Sequence, residues 1–130
     1  MVCANMIPIN QFQSVIYKTL NDNLDIAVYD EVLESAIMPL LTIGDYTLSE
    51  YNTKYEGYEF NWKLSIYTEY EGKKEVNNLL SKTLMILQGL DSSRIDNFYI
   101  DSVWLDNANV FRNEGYYIAD INIKFLIMEV

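Results

Sequence analysis

The 130-residue sequence predicts an α+β fold, namely a mostly antiparallel β-sheet with two main helices packed on one face and a long β-hairpin arm. Three observations support this prediction. Residues 58–67 alternate between apolar and polar side chains, two other segments repeat apolar residues at steps of three and four, and the remaining apolar runs are short and bounded by turn residues. Because neighbouring strands joined by turns pair as hairpins, most of the sheet should be antiparallel.

Length and composition indicate a single domain that spans residues 1–130. A chain of this size buries roughly two thirds of its unfolded surface, which is enough for a core without disulfide bonds or a metal. Half of the residues are hydrophobic and 11 are tyrosines, a composition that excludes a disordered chain. Residues 1–6 are expected to be a disordered segment or an extension.

The first helix is predicted over residues 10–22. Asn10 can act as its N-cap, and Gln13 follows three residues later, as in a capping box. Apolar residues then recur at helical spacing, at Phe12, Val15, Ile16 and Leu20. The polar run 21–23 ends the pattern.

The second helix is predicted to open at residues 73–75 and to end at Gly89, which serves as its C-cap. Steps of three and four separate its apolar positions, which are Val76, Leu79, Leu80, Thr83, Leu84 and Leu87. One face of this helix should therefore pack on the sheet.

The predicted strands before residue 58 are short. Residues 28–32 form one candidate, and residues 40–46 form another after Pro39, which keeps the residues before it extended. The polar run 49–57 joins this second strand to the alternating segment. We interpret the two strands and the run between them as a hairpin with a long arm that carries acids and tyrosines.

The alternating segment raises the question of an active site, because Glu59 and Glu69 lie in or beside it. Tyr58, Phe60, Trp62, Leu64 and Ile66 should face the core. At ~3.3 Å per residue, Glu59 and Glu69 lie about 30 Å apart along an extended chain. A hydrolytic pair of carboxylates needs roughly 5–10 Å. We therefore expect these acids to keep one strand face solvated.

The C-terminal part predicts a closing hairpin. A polar turn over residues 90–96 precedes a strand over 98–105, which continues at 110–112 after a bulge around 107–109. Residues 113–115 form a turn, and the last strand then alternates to Ile127. Trp104, like Trp62, alternates with core positions and is expected to pack inside.

The chemistry of common active sites is missing from the sequence. There is no histidine, the one cysteine is Cys3, and neither glycine-rich phosphate-binding motif occurs. The net charge of −10 argues against a basic face for nucleic acid, and no apolar run approaches the ~20 residues that span a bilayer. We expect no enzymatic activity, no cofactor, no metal and no membrane partner.

Two polar groups are the candidate interface. Tyrosine beside charge is typical of protein interfaces, because the ring provides contact area and the hydroxyl finds a partner. The group on the hairpin arm comprises Asp45, Tyr46, Glu50, Tyr51, Lys54, Tyr55 and Glu56. The group in the 106–115 loop comprises Asp106, Asn107, Asn109 and Arg112. The alternative for the arm is that it folds back on its own sheet.

The order of elements and a few residues between them resemble a known family. The resemblance rests on the first helix, Val28-Tyr29-Asp30, the segment 38–44 with its proline, the alternating strand that ends in Tyr70-Glu71-Gly72, the 76–89 helix and the strand 116–125. Over about residues 10–127 this pattern resembles the tail completion proteins of long-tailed bacteriophages and prophages, also described as tail terminator or tail-to-head joining proteins.

The resemblance implies a structural role in virion assembly. Copies of the chain would form a ring, most often a hexamer, that caps the head-proximal end of the tail tube and binds both the tail tube protein and a head connector or stopper protein. The ring would form part of the DNA channel, so that DNA is transiting cargo without specific contacts, and the acids of the two polar groups would line or flank it. The protein would be in the bacterial host cytoplasm during assembly and then in the virion tail.

Three other interpretations remain open. A head-side connector or stopper protein shares the size and acidity. A small prophage-encoded protein-binding module should stay monomeric, whereas a terminator should form rings. A small hydrolase that uses carboxylates is disfavoured, because the sequence lacks histidine and a clustered pair of acids.

Overall fold

The computed structural model describes residues 6–30, 36–52 and 56–130. In chain order these residues form α1 (Ile9–Asn23), β1 (Ala27–Tyr29), β2 (Leu40–Asn52), β3 (Glu56–Thr68), α2 (Lys74–Gln88), β4 (Arg94–Ile95), β5 (Phe98–Asn113) and β6 (Tyr116–Glu129). The strands make one sheet in the order β1-β2-β3-β6-β5-β4. All its pairs are antiparallel except β1 with β2. The predicted α+β fold is confirmed.

Helix α1 differs from its prediction at its first turn. It begins at Ile9, with Pro8 at the N-cap position and no side-chain hydrogen bond to the cap, so the predicted capping by Asn10 is wrong. Proline fits this position because the first backbone N–H groups of a helix have no partner in any case. The carbonyl of Pro8 accepts the first hydrogen bond, from the N–H of Phe12 at 2.9 Å.

The core lies between the helices and one face of the sheet. The predicted apolar stripes are the buried faces of both helices: Phe12, Ile16 and Leu20 in α1, and Val76, Thr83 and Leu87 in α2. Phe12 is the centre of an aromatic cluster, with its ring centroid 4.9 Å from Phe60, 5.6 Å from Trp62 and 4.9 Å from Phe125. All four side chains are at most 1% exposed.

Strands β2 and β3 form the predicted long hairpin, with 13 residues in each strand. The strands extend further than the sequence indicates, because much of the polar run 49–57 belongs to them. Residues from Gly57 to Thr68 also pair with β6 on the other side. The hairpin is therefore built into the sheet along most of its length. Of the predicted strand 28–32, residues 31 and 32 lie outside the described part.

Strands β5 and β6 form a second long hairpin. The register shifts between Ile100 and Ser102 and again between Leu105 and Asn107, so Asp101 and Asp106 are the extra residues of two bulges. The predicted bulge around residues 107–109 therefore lies earlier in the strand. Residues 106–113 continue β5, and the predicted loop over 106–115 is reduced to a two-residue turn. The polar turn before β5 contains the short strand β4.

Candidate assembly surface

Among the residues that the structure describes, both edges of the sheet are open along much of their length. Strand β4 pairs only with Phe98 and Tyr99 of β5, and β1 pairs only with residues 40–42 of β2. Within the described ranges, no further strand pairs with residues 102–112 of β5 or residues 44–51 of β2 on their outer sides. We call these two segments the β5 edge and the β2 edge.

The β5 edge exposes apolar side chains on both faces of the sheet. Trp104 is 37% exposed, Leu105 is 38% exposed and Phe111 is 40% exposed. Leu105 is opposite Ile123 on the helix-covered face, whereas Trp104 is opposite Lys124 on the other face. The unpaired backbone groups of an open edge are a template for pairing with another chain, which natural proteins normally cover or blunt, and large exposed apolar side chains mark interaction sites.

The direction of the free backbone groups on the β5 edge follows from the turn. A two-residue turn closes on Asn113 and Tyr116, so the backbone groups of these residues bond to each other. Backbone groups alternate in direction along a strand, and those of Arg112, Val110 and Ala108 therefore point away from β6. Three consecutive outward positions are available for a further strand.

The β2 edge begins at a bulge that an aromatic side chain supports. The register with β3 shifts between Ile43 and Tyr46. The indole Nε1–H of Trp62 donates a 3.1 Å hydrogen bond to the carbonyl of Gly44 inside this bulge. The ring of Tyr46 lies 4.6 Å from that of Trp62 and is 39% exposed. The indole of Trp62 therefore fixes the backbone of the bulge, next to which the side chain of Tyr46 reaches the surface.

The face of the sheet that carries no helix is polar along its centre. Ser65 donates a 2.8 Å hydrogen bond to Asp120, and Asn122 donates one of 2.8 Å to Asn107. Lys124 lies between Glu59 at 3.8 Å and Asp106 at 3.9 Å. These partners join β3, β6 and β5 across the face. The prediction that Glu59 belongs to a polar face, rather than to a catalytic pair with Glu69, agrees with this arrangement.

Groups that could bind metal do not cluster in the described part of the chain. No set of three or more histidine, cysteine, aspartate or glutamate residues is placed there to hold an ion. None of the helices found there is long and apolar enough to cross a bilayer.

The fold is similar to that of a protein in a gene transfer agent particle. One matching chain belongs to the solved virion of a native gene transfer agent (GTA) particle; the match has a TM-score of 0.60 and covers 93% of this chain and 91% of that one, at 15% sequence identity. At this identity the similarity concerns the fold. A comparison with protein-family models and a comparison with curated protein sequences gave no match.

The predicted interface residues fall into two separate places. Asp45, Tyr46, Glu50 and Tyr51 lie on the β2 edge, whereas Asp106, Asn107, Asn109 and Arg112 lie on the β5 edge. Strands β3 and β6 separate them, so the two edges are about 14 Å apart at three strand spacings. Lys54, Tyr55 and the side chain of Glu56 lie outside the described residues.

The apolar residues of the β5 edge are the part of the surface that the sequence did not predict. Trp104 was expected to pack inside, but it lies on the polar face and is partly exposed. The available signal was the run Val103-Trp104-Leu105, in which three successive apolar side chains interrupt the alternation. In a strand, at least one of three such residues must face away from the core.

Proposed function

We propose that this chain is a structural virion-assembly protein of a phage or prophage that caps the head-proximal end of the tail tube and joins tail to head. In this proposal six copies form a ring that is part of the DNA channel. The observation that carries the proposal is the similarity of fold, over nearly the full length of both chains, to a protein of the gene transfer agent virion. The chain acts through its surfaces, without catalysis.

The two open edges support a ring. The edges lie on opposite sides of one sheet and differ in sequence, so contact between them is head-to-tail. Head-to-tail contacts generate a ring where the rotation between neighbours closes, and an open helical filament where it does not. An isologous dimer would instead need one edge that pairs with itself.

The charge of the chain supports a conduit for DNA. At a net charge of −10, a ring of six copies holds DNA weakly, because tight binding to phosphates requires lysine and arginine. A channel through which DNA must pass benefits from weak binding.

A head-side connector or stopper protein would have the same advantage. The binding partner distinguishes the two roles: a tagged copy of this chain should retain the tail tube protein if it caps the tail.

Deletion of the gene from its phage or induced prophage tests the proposal. Negative-stain electron microscopy of the lysate should show filled heads beside unattached tails, with tails of irregular length or without a finished end. A plasmid copy of the wild-type gene should restore complete particles. Normal infectious particles from the deletion would contradict the proposal and would favour a small protein-binding module.

A further inference from the structure

We propose that the β5 edge of one copy pairs antiparallel with the β2 edge of the next copy, so that one continuous sheet runs around the ring. This inference rests on the proposed function for the ring, and it adds the surface by which the copies meet. The occupant of the β5 edge is therefore a second copy of this chain.

The first argument is that the β5 edge lacks the features that normally prevent an edge strand from pairing. From Asn107 to Arg112 the strand has no bulge, no proline and no lysine, which are the usual devices against pairing. The outward backbone groups of Ala108, Val110 and Arg112 are in this stretch, and Phe111 is 40% exposed beside them. An added strand would form hydrogen bonds with these backbone groups and would cover the aromatic side chain of Phe111.

The second argument is strand direction. In the order β2-β3-β6-β5 each neighbouring pair is antiparallel, so β2 and β5 run in opposite directions. A copy rotated about an axis roughly parallel to the strands keeps its strand directions. Its β2 therefore meets the β5 of its neighbour as an antiparallel partner, which is the pairing that the rest of the sheet uses.

The third argument is charge. The β2 edge carries Asp45 and Glu50 and has no lysine or arginine. Residues 107–112 of the β5 edge have Arg112 as their one charged residue. Two β2 edges would bring acids together, which opposes their pairing, whereas a β5 edge brings Arg112 to the acids of a β2 edge. The charges thus favour contact between unlike edges.

Site-directed crosslinking of the purified full-length protein tests this pairing. In a Cys3→Ser background, Asn109→Cys marks the β5 edge and Ser49→Cys marks the β2 edge. Both positions are exposed and lie on the same face of the sheet. A short bis-maleimide should crosslink a mixture of the two variants, should leave each variant alone uncrosslinked, and should give covalent products of up to six chains with the double variant.

Other crosslinking patterns would overturn the inference. Crosslinks in the Asn109→Cys variant alone would mean that two β5 edges pair, and crosslinks in the Ser49→Cys variant alone would mean that two β2 edges pair. Absence of crosslinks in the mixture, at the highest concentration that stays soluble, would mean that the edges do not meet.

A charge placed on the β5 edge provides a second test. Val110→Lys, added to the double variant, should lower the crosslinked fraction by at least about tenfold, because it brings a lysine into the pairing. Asn77→Lys, which adds the same charge at an exposed position of α2, should leave the fraction unchanged. Val110 packs partly against the core, so circular dichroism and thermal unfolding establish that each variant is folded. If Val110→Lys is not folded, Phe111→Lys replaces it, because Phe111 lies in the same stretch and is 40% exposed. Undiminished crosslinking in a folded edge variant would overturn the inference.

The two proposals fail in different experiments. If crosslinking fails while the gene deletion still produces unattached heads and tails, the function stands and the β5 edge has another role. If the edges crosslink while the deletion yields normal particles, the chain forms a ring that does not complete tails.

Discussion

The turn between β5 and β6 places a strained residue beside a glycine. Glu114 has a φ of 46° and Gly115 a φ of 93°. Both values are positive, as in the type I′ turns that suit the right-handed twist of a hairpin. Glycine adopts this conformation without cost, whereas glutamate does so at an energetic penalty that asparagine largely avoids. The sequence predicted the turn from its glycine but did not show that Glu114 shares the left-handed conformation.

Glu114→Asn should therefore stabilise the protein, by about 0.5–1 kcal/mol in the free energy of unfolding. Urea denaturation followed by circular dichroism measures the change. Gly115→Ala is the matched variant that should destabilise the turn. Its added Cβ would meet no atom within 4 Å, so the cost is conformational alone. It should lower the free energy of unfolding by about 1 kcal/mol. Equal stability of the two variants would contradict the assigned turn.

Helix α1 packs on the sheet partly through Phe12, whose ring contacts three aromatic rings of β3 and β6. Phe12→Ala should lower the free energy of unfolding by about 3–5 kcal/mol, because it removes a fully buried ring and leaves a cavity. Tyr17→Ala on the same helix, where the side chain is 42% exposed, should cost much less. Urea denaturation of both variants checks this difference, and similar losses would mean that α1 is held in another way.

Periodicity predicted most of the elements, because burial on one face leaves a regular trace in a helix or a strand. It placed the buried faces of α1 and α2 and the inward position of Trp62 correctly. It failed where the backbone is irregular. The bulge at Asp101 resets the alternation of β5, so Trp104 faces away from the helices although its sequence position indicated the core.

The arrangement of the candidate surface depends on contacts between distant parts of the chain. The sequence indicated the polar residues of the β2 and β5 edges as parts of one interface or channel. Strand order separates them, because β6 pairs with both β3 and β5 and leaves β2 and β5 on opposite sides. No local pattern in either segment encodes that separation. The separation gives the molecule two unlike edges, which is the property that a closed ring requires.

Joining of tail to head in a cell-free mixture tests the central claim most directly. Lysate from a strain without the gene would contain heads and unjoined tails, and purified protein would be added to it. We expect the wild-type protein to restore joined particles and raise the infectious titre, the Asn77→Lys variant to act equally well, and the Val110→Lys variant to do neither. If heads and tails remain separate after addition of folded wild-type protein, the chain does not join tail to head.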